Sequence, residues 1–127
     1  MPYKDKDKKR EYSRQKRLEW RRKHPELDRE RNKKYKQKLR IAVLTFYSRG
    51  ALNCECCGDD HFPFLTIDHI SGGGRKHRTD LKNRSGGQLL YIWLIKNNFP
   101  AGFRVLCWNC NCGRRLNNNI CPHEQEK

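Results

Sequence analysis

Hydrophobic positions are spread unevenly along this chain, and their spacing changes character near Gly50. Over residues 4–23, Tyr12, Leu18 and Trp20 are the only large apolar side chains among Lys, Arg, Glu, Gln and Asp. These are good helix formers that bury almost nothing, so the segment predicts a helix that stays marginal unless it docks on a partner. His24-Pro25 breaks it, and Pro25 suits the first turn of a second helix, with Glu26 and Asp28 on the favourable side of its dipole. The second helix gains an apolar stripe toward its end, where Tyr35, Leu39, Val43, Phe46 and Tyr47 recur at helical spacing. Gly50 is its expected stop. The segments KREYSRQKRLEW and RERNKKYKQKLR look faintly alike, which biased composition explains as easily as a duplication.

Beyond Gly50 the pattern is that of a small folded domain. A cysteine knuckle at 54–58 leads to a strand over 64–68, with Leu65 and Ile67 on one face. A Gly- and Arg-rich loop covers 71–87. Residues 88–96 predict a helix with Leu89, Ile92 and Trp93 as its apolar face, ended by Asn97-Asn98. A second strand over 103–106 enters a second knuckle at 107–110. A short polar helix follows through Leu116, and the last residues read as frayed. The fold class is therefore α+β: a basic helical arm over residues 1–50 and a compact domain over 51–127. So small a domain buries a limited core, and a metal staple would help it fold.

Charge sharpens this division. The 127 residues hold 29 Lys and Arg against 14 Asp and Glu, a formal +15. Residues 1–40 have 18 basic and 7 acidic residues, a net +11, which leaves +4 for residues 41–127. So one-sided a field attracts polyanions, nucleic acid phosphates first, although a solvated charged tail has the same composition. An anionic membrane suits it less well, since the arm lacks a continuous apolar face. Few aromatics fall in the basic regions, which argues mildly against an RNA binder that stacks single-stranded bases. The charge run begins at Lys4 with no apolar stretch behind it, unlike a signal peptide. No run approaches the roughly 20 apolar residues of a membrane span. The expected location is the cytoplasm, where cysteines serve as metal ligands rather than disulfides.

Seven cysteines are present, and four form two C-x-x-C pairs, Cys54/Cys57 and Cys107/Cys110, with 49 residues between them. A two-residue gap lets both sulfurs of a knuckle face one ion, and two such pairs complete the tetrahedron that structural zinc prefers. Cys56 is able to replace a member of the first pair. Cys112 and Cys121 are left over, and Cys121 has His123 two residues on. A buried or free thiol accounts for them more readily than a second metal. His24, His61 and His123 read as ordinary residues. A closed four-thiolate shell leaves no open position, so any chemistry must lie elsewhere.

Between the knuckles lies LTIDHISGGGRKHR, residues 65–78. A strand ending in Asp-His delivers a carboxylate and an imidazole to one rim, which suits metal-assisted phosphodiester hydrolysis. By itself the pair is as consistent with an ordinary turn. Its setting is more specific: CECCG, IDHISGGG and VLCWNCN, in this order from Cys54 to about Arg115, resemble the HNH endonucleases, most nearly the zinc-containing forms common in phage genomes.

The resemblance implies a ββα-metal fold gripping one catalytic Mg²⁺ or Mn²⁺, beside the structural Zn²⁺. It makes His69 the general base, Asp68 the carboxylate metal ligand and Asn111 the second protein ligand. It also implies cleavage of double-stranded DNA to 5′-phosphate and 3′-hydroxyl ends, in the host cytoplasm if the gene is a phage gene. The family's middle Asn falls at Gly102 here, so Asn97, Asn98 or a backbone group must take its part. Arg75, Lys76, His77 and Arg78 follow three glycines and are candidates to hold phosphates, as are Arg114 and Arg115. His77 is also a candidate metal ligand or catalytic helper. A homodimer is possible, since one site in one chain nicks a single strand. The competing reading is a non-catalytic zinc-stapled module for DNA binding or assembly, for which Asp68, His69 and Asn111 have no joint purpose.

Overall fold

The computed structural model describes residues 5–81 and 88–126, and the side chain of Arg78 falls outside this description. The architecture is α+β, with helices around a two-stranded antiparallel sheet. The contacts group Met1–Lys36 and Gln37–Lys127 as two compact units.

The first unit holds helix α1 (Lys6–Lys23) and the start of α2 (Pro25–Tyr47). The Asp5 carboxylate caps α1 by accepting from the Asp7 N–H at 2.9 Å. Its surface is laced by pairs one turn apart, Glu11 with Gln15 and Glu19 with Lys23, and it buries no side chain. The Arg31 guanidinium lies 4.8 Å from the Trp20 ring centroid. No helix among the described residues is long and apolar enough to cross a membrane.

Helix α2 runs without a break from the first unit into the second, where its last turns belong to the core. Its buried face is Leu39, Val43 and Leu44. Of the expected stripe, Tyr35 is exposed and Phe46 sits on the flank, stacked on Phe99 with centroids 4.4 Å apart. Gly50 closes the helix as expected, with φ +83° and its N–H donating to Thr45.

In the second unit, a 3-10 turn (Phe62–Phe64) precedes β1 (Leu65–His69), which pairs with β2 (Phe103–Cys107). The register sets Ile67 opposite Val105, Asp68 opposite Arg104 and His69 opposite Phe103. Alternation puts Leu65, Ile67 and His69 on one face of β1 and Thr66 and Asp68 on the other. Where a loop was expected over 71–87, residues Gly74–Asp80 form helix α3. Gly73 at φ +84° supplies the left-handed turn that starts it. Helix α4 (Gln88–Lys96) has the expected bounds, but its buried residues are Leu90 and Leu94, and Leu89 is exposed. Helix α5 (Trp108–Leu116) follows β2 directly, and the tail expected to fray carries a short helix, α6 (Pro122–Gln125).

The core joins Val43, Leu44, Leu65, Ile67, Leu90, Leu94, Val105 and Leu106 with Cys54, Cys107, Cys110 and Cys121. Leu94 is fully buried. Leu94→Ala is expected to cost about 2–5 kcal/mol, read as a lower denaturant midpoint with unchanged slope.

Candidate metal centre and rim of the sheet

Two sites emerge: a cluster of soft ligands at the knuckles and a polar rim at the end of β1. In the first knuckle, the Gly58 N–H donates to the Cys54 carbonyl and the Cys57 N–H points at Cys54 Sγ, 3.5 Å away. In the second, Cys107 caps α5 and its sulfur accepts from the Cys110 N–H at 3.4 Å. The Glu55 N–H donates to Val105, which ties the first knuckle to β2. As a result the ligand atoms of Cys54, Cys57, Cys107 and Cys110 all lie within 4.8 Å of one another, a spacing at which a metal ion fits. Cys57 Sγ and Cys107 Sγ, from opposite knuckles, are 3.6 Å apart.

A second group was not expected from the sequence. Cys56, Cys110, Cys121 and His123 also lie within 4.8 Å of one another. His123 Nδ1 is 3.3 Å from Cys110 Sγ and 3.4 Å from Cys121 Sγ. Cys121 is a buried thiol, as expected, and His123 turns its Nδ1 toward both Cys121 and Cys110. The signal for them was Cys121-Pro-His123, whose one-residue gap lets two ligands turn toward one point. Cys112 joins neither group, and its sulfur lies 3.9 Å from Arg115 Nη2.

Crowding shows in the thiol acidities. Burial pushes Cys56 up to about 11, and its contact with Cys121 adds to this. Burial and the neighbouring sulfurs of Cys107, Cys54, Cys57 and Cys121 push Cys110 far above the usual thiol value. Burial also raises Cys54, but backbone N–H groups of Cys107, Cys57 and Cys56 outweigh it and hold this thiol at about 7. Sulfurs this close cannot all ionise without a cation among them.

The rim of the sheet is organised by α5. Asn111 Nδ2 donates to Thr66 Oγ1 at 2.9 Å, and one turn later Arg114 Nη1 donates to Asp68 Oδ2 at 2.6 Å. Asp68 and Asn111 therefore stand on the same face of β1. Arg104, opposite Asp68 in the register, donates to the same Oδ2 at 3.0 Å. Arg114, expected on a phosphate, is thus engaged with Asp68, and the side chains of this ion pair are only 14% and 13% exposed. Among the described residues no hydrogen bond reaches Asp68 Oδ1 or Asn111 Oδ1.

His69 belongs to the opposite face. Its ring packs on Phe103 with centroids 4.8 Å apart, and Nε2 shares a hydrogen bond of 2.9 Å with His77 Nδ1 from α3. His77 stands against Trp93 in turn, with centroids 4.4 Å apart, so it turns to the protein while Arg75 and Lys76 stay exposed. Gly74 makes room for His69: a Cβ there would meet His69 Nδ1 at 2.9 Å. The backbone of Gly102 closes the hairpin, its carbonyl accepting from the Ile70 N–H at 3.0 Å. Asn97 caps its own helix by donating to the Trp93 carbonyl. His61 bonds Asp59 at 2.6 Å, which raises its pKa.

Compared with protein-family models, curated proteins and solved structures, the chain finds no match.

Proposed function

We propose that this chain is a metal-dependent endonuclease of HNH type, a zinc-stapled ββα-metal domain with a basic arm that binds double-stranded DNA. The observation that carries the reading is that Asp68 and Asn111, a carboxylate and an amide with hard oxygens, stand on one face of β1. The adjoining strand residue is His69, paired with His77. A carboxylate and an amide oxygen suit Mg²⁺ or Mn²⁺, and such an ion bound there supplies charge stabilisation for the phosphate under attack.

The protein's own part is positioning and proton transfer. His69, the last residue of β1 and on its other face from Asp68, would reach the attacking water round the strand end and take its proton into the pair it forms with His77 at 2.9 Å. The water oxygen adds to phosphorus, the bond to the 3′ oxygen breaks, that oxygen takes a proton from solvent water, and the His69–His77 pair later returns its proton to solvent. Ends of 5′-phosphate and 3′-hydroxyl result. Arg114 and Arg104 fix the Asp68 carboxylate from two sides. Arg75, Lys76, Arg78 and Arg115 serve the flanking phosphates, and a second copy would be needed to cut both strands.

The arm supplies affinity without sequence preference. Lys6, Arg10, Ser13 and Arg17 recur three to four residues apart and share one face of α1. Replacing Lys6, Arg10 and Arg17 together with Ala should flatten the plot of log affinity against log salt by up to about 3, since each lost phosphate contact removes about 0.9. Fluorescence anisotropy with a labelled duplex over a salt series reads this slope.

One observation favours a second reading, a non-catalytic zinc-stapled binding or assembly module: Arg104 and Arg114 already satisfy Asp68 without a metal. Supercoiled plasmid incubated with the full chain and Mg²⁺ or Mn²⁺ separates the two. A nuclease yields nicked or linear plasmid whose nicks DNA ligase reseals directly. Steeply salt-dependent binding without cleavage of any duplex or single strand would leave only the module.

A further inference from the structure

We propose that the knuckles and the C-terminal turn hold two zinc ions rather than one, with Cys110 as a thiolate shared between them. Cys54, Cys57 and Cys107 complete the first tetrahedron, and Cys56, Cys121 and His123 complete the second. This centre is independent of the nuclease reading and stands whether or not the protein cuts DNA.

The geometry points to it directly. Each group offers four ligand atoms within 4.8 Å of one another, and Cys110 is the one residue in both. Around a tetrahedral zinc, sulfurs lie about 3.8 Å apart, and sulfur and nitrogen about 3.6 Å apart. The 3.6 Å between Cys57 and Cys107, the 3.3 Å between Cys110 and His123 Nδ1, and the 3.4 Å between Cys121 and the same nitrogen all approach these edges. A thiolate has lone pairs enough to ligate two ions. With Cys110 shared and neutral His123 in place of one thiolate, six thiolates serve two ions, which halves the excess negative charge per ion relative to a lone four-thiolate site. This matters where Cys54, Cys107, Cys110 and Cys121 are all buried.

Local structure brings the second ligand set into place independently. Cys121 caps α6, and Pro122 at its first position turns His123 back toward α5. Gly113 in α5 accepts this turn: a Cβ there would stand 3.1 Å from Pro122 Cδ. Glycine inside a helix is costly, and here the missing side chain is what lets the Cys121-Pro122-His123 turn dock.

The rival to this proposal is a single zinc whose Cys110 thiolate is hydrogen-bonded by His123. Metal counting decides between them. The full chain, loaded with excess zinc and desalted, is expected to carry two zinc ions by native mass spectrometry. Cys121→Ser and His123→Ala are each expected to carry one, with far-UV circular dichroism unchanged. Should those variants fail to fold, the natural chain loaded with cadmium-113 still decides the matter. A shared sulfur predicts two NMR resonances split by cadmium–cadmium coupling through Cys110. One zinc per natural chain at saturation, or an unchanged zinc count in both folded variants, overturns the proposal. Two uncoupled cadmium resonances overturn the bridge.

Discussion

Stripping zinc with a strong chelator is expected to unfold residues 37–127 at room temperature, and returning zinc is expected to refold them. The metal-free sheet has two strands of five residues each, and a pair this small is marginal in water without further support. Four of the core's buried residues are cysteines, whose small side chains add little apolar surface and whose sulfurs stand close enough for a metal ion to fit among them. Structural zinc contributes an apparent 10–16 kcal/mol, roughly, in small metal-folded domains. The net stability of a domain is about 5–15 kcal/mol, so losing the metal removes most or all of it. Cys57 is exposed, which gives the chelator a way in. Near-UV circular dichroism and Trp93 fluorescence should collapse together on chelation. Cys110→Ser should act like the chelator, since its sulfur belongs to both ligand groups. A stripped protein that still melts cooperatively within a few degrees of the loaded one would refute the zinc staple.

How much of this was legible in the sequence depended on how far apart the deciding residues lie. The bounds of α4 followed from local patterns, and the strands were placed to within one residue at each end. The buried face of α4 did not follow, because LLYIWLI is apolar at nearly every position and periodicity cannot choose between Leu89 and Leu90. Helix α3 was read as loop since its glycines and cations carry no apolar stripe. What organises it is the Gly73 turn and the contact of His77 with His69 and Trp93. A basic arm and a core-forming segment share one continuous helix, so no break in the sequence pattern separates them. At the knuckles, spacing identified each C-x-x-C pair, but Cys56, Cys121 and His123 come together only through the docking of α6 on α5. The same holds for the Arg104–Asp68–Arg114 clamp. It depends on strand register and on one turn of α5, neither of which a linear motif encodes.

Replacing the proposed base provides the sharpest test of function. His69→Ala is expected to lower plasmid cleavage about 10²–10⁴-fold, the usual contribution of a positioned proton acceptor. Zinc content and duplex affinity should be unchanged, because His69 holds neither the cysteine cluster nor a phosphate. His77→Ala should cost less, since His77 bonds the base rather than the attacking water in this scheme. Asp68→Asn tests the nuclease reading from another side. In a nuclease it removes a proposed metal ligand, so cleavage falls steeply with duplex binding retained. In either reading the change also leaves two largely buried guanidiniums without their counter-charge, a loss of about 3–5 kcal/mol in stability, so cleavage is compared at a temperature where the variant stays folded. Cleavage that survives His69→Ala at the natural rate would remove His69 from the chemistry. The proton would then have to go to another group at the rim, and the likeness to HNH enzymes would lose its catalytic content.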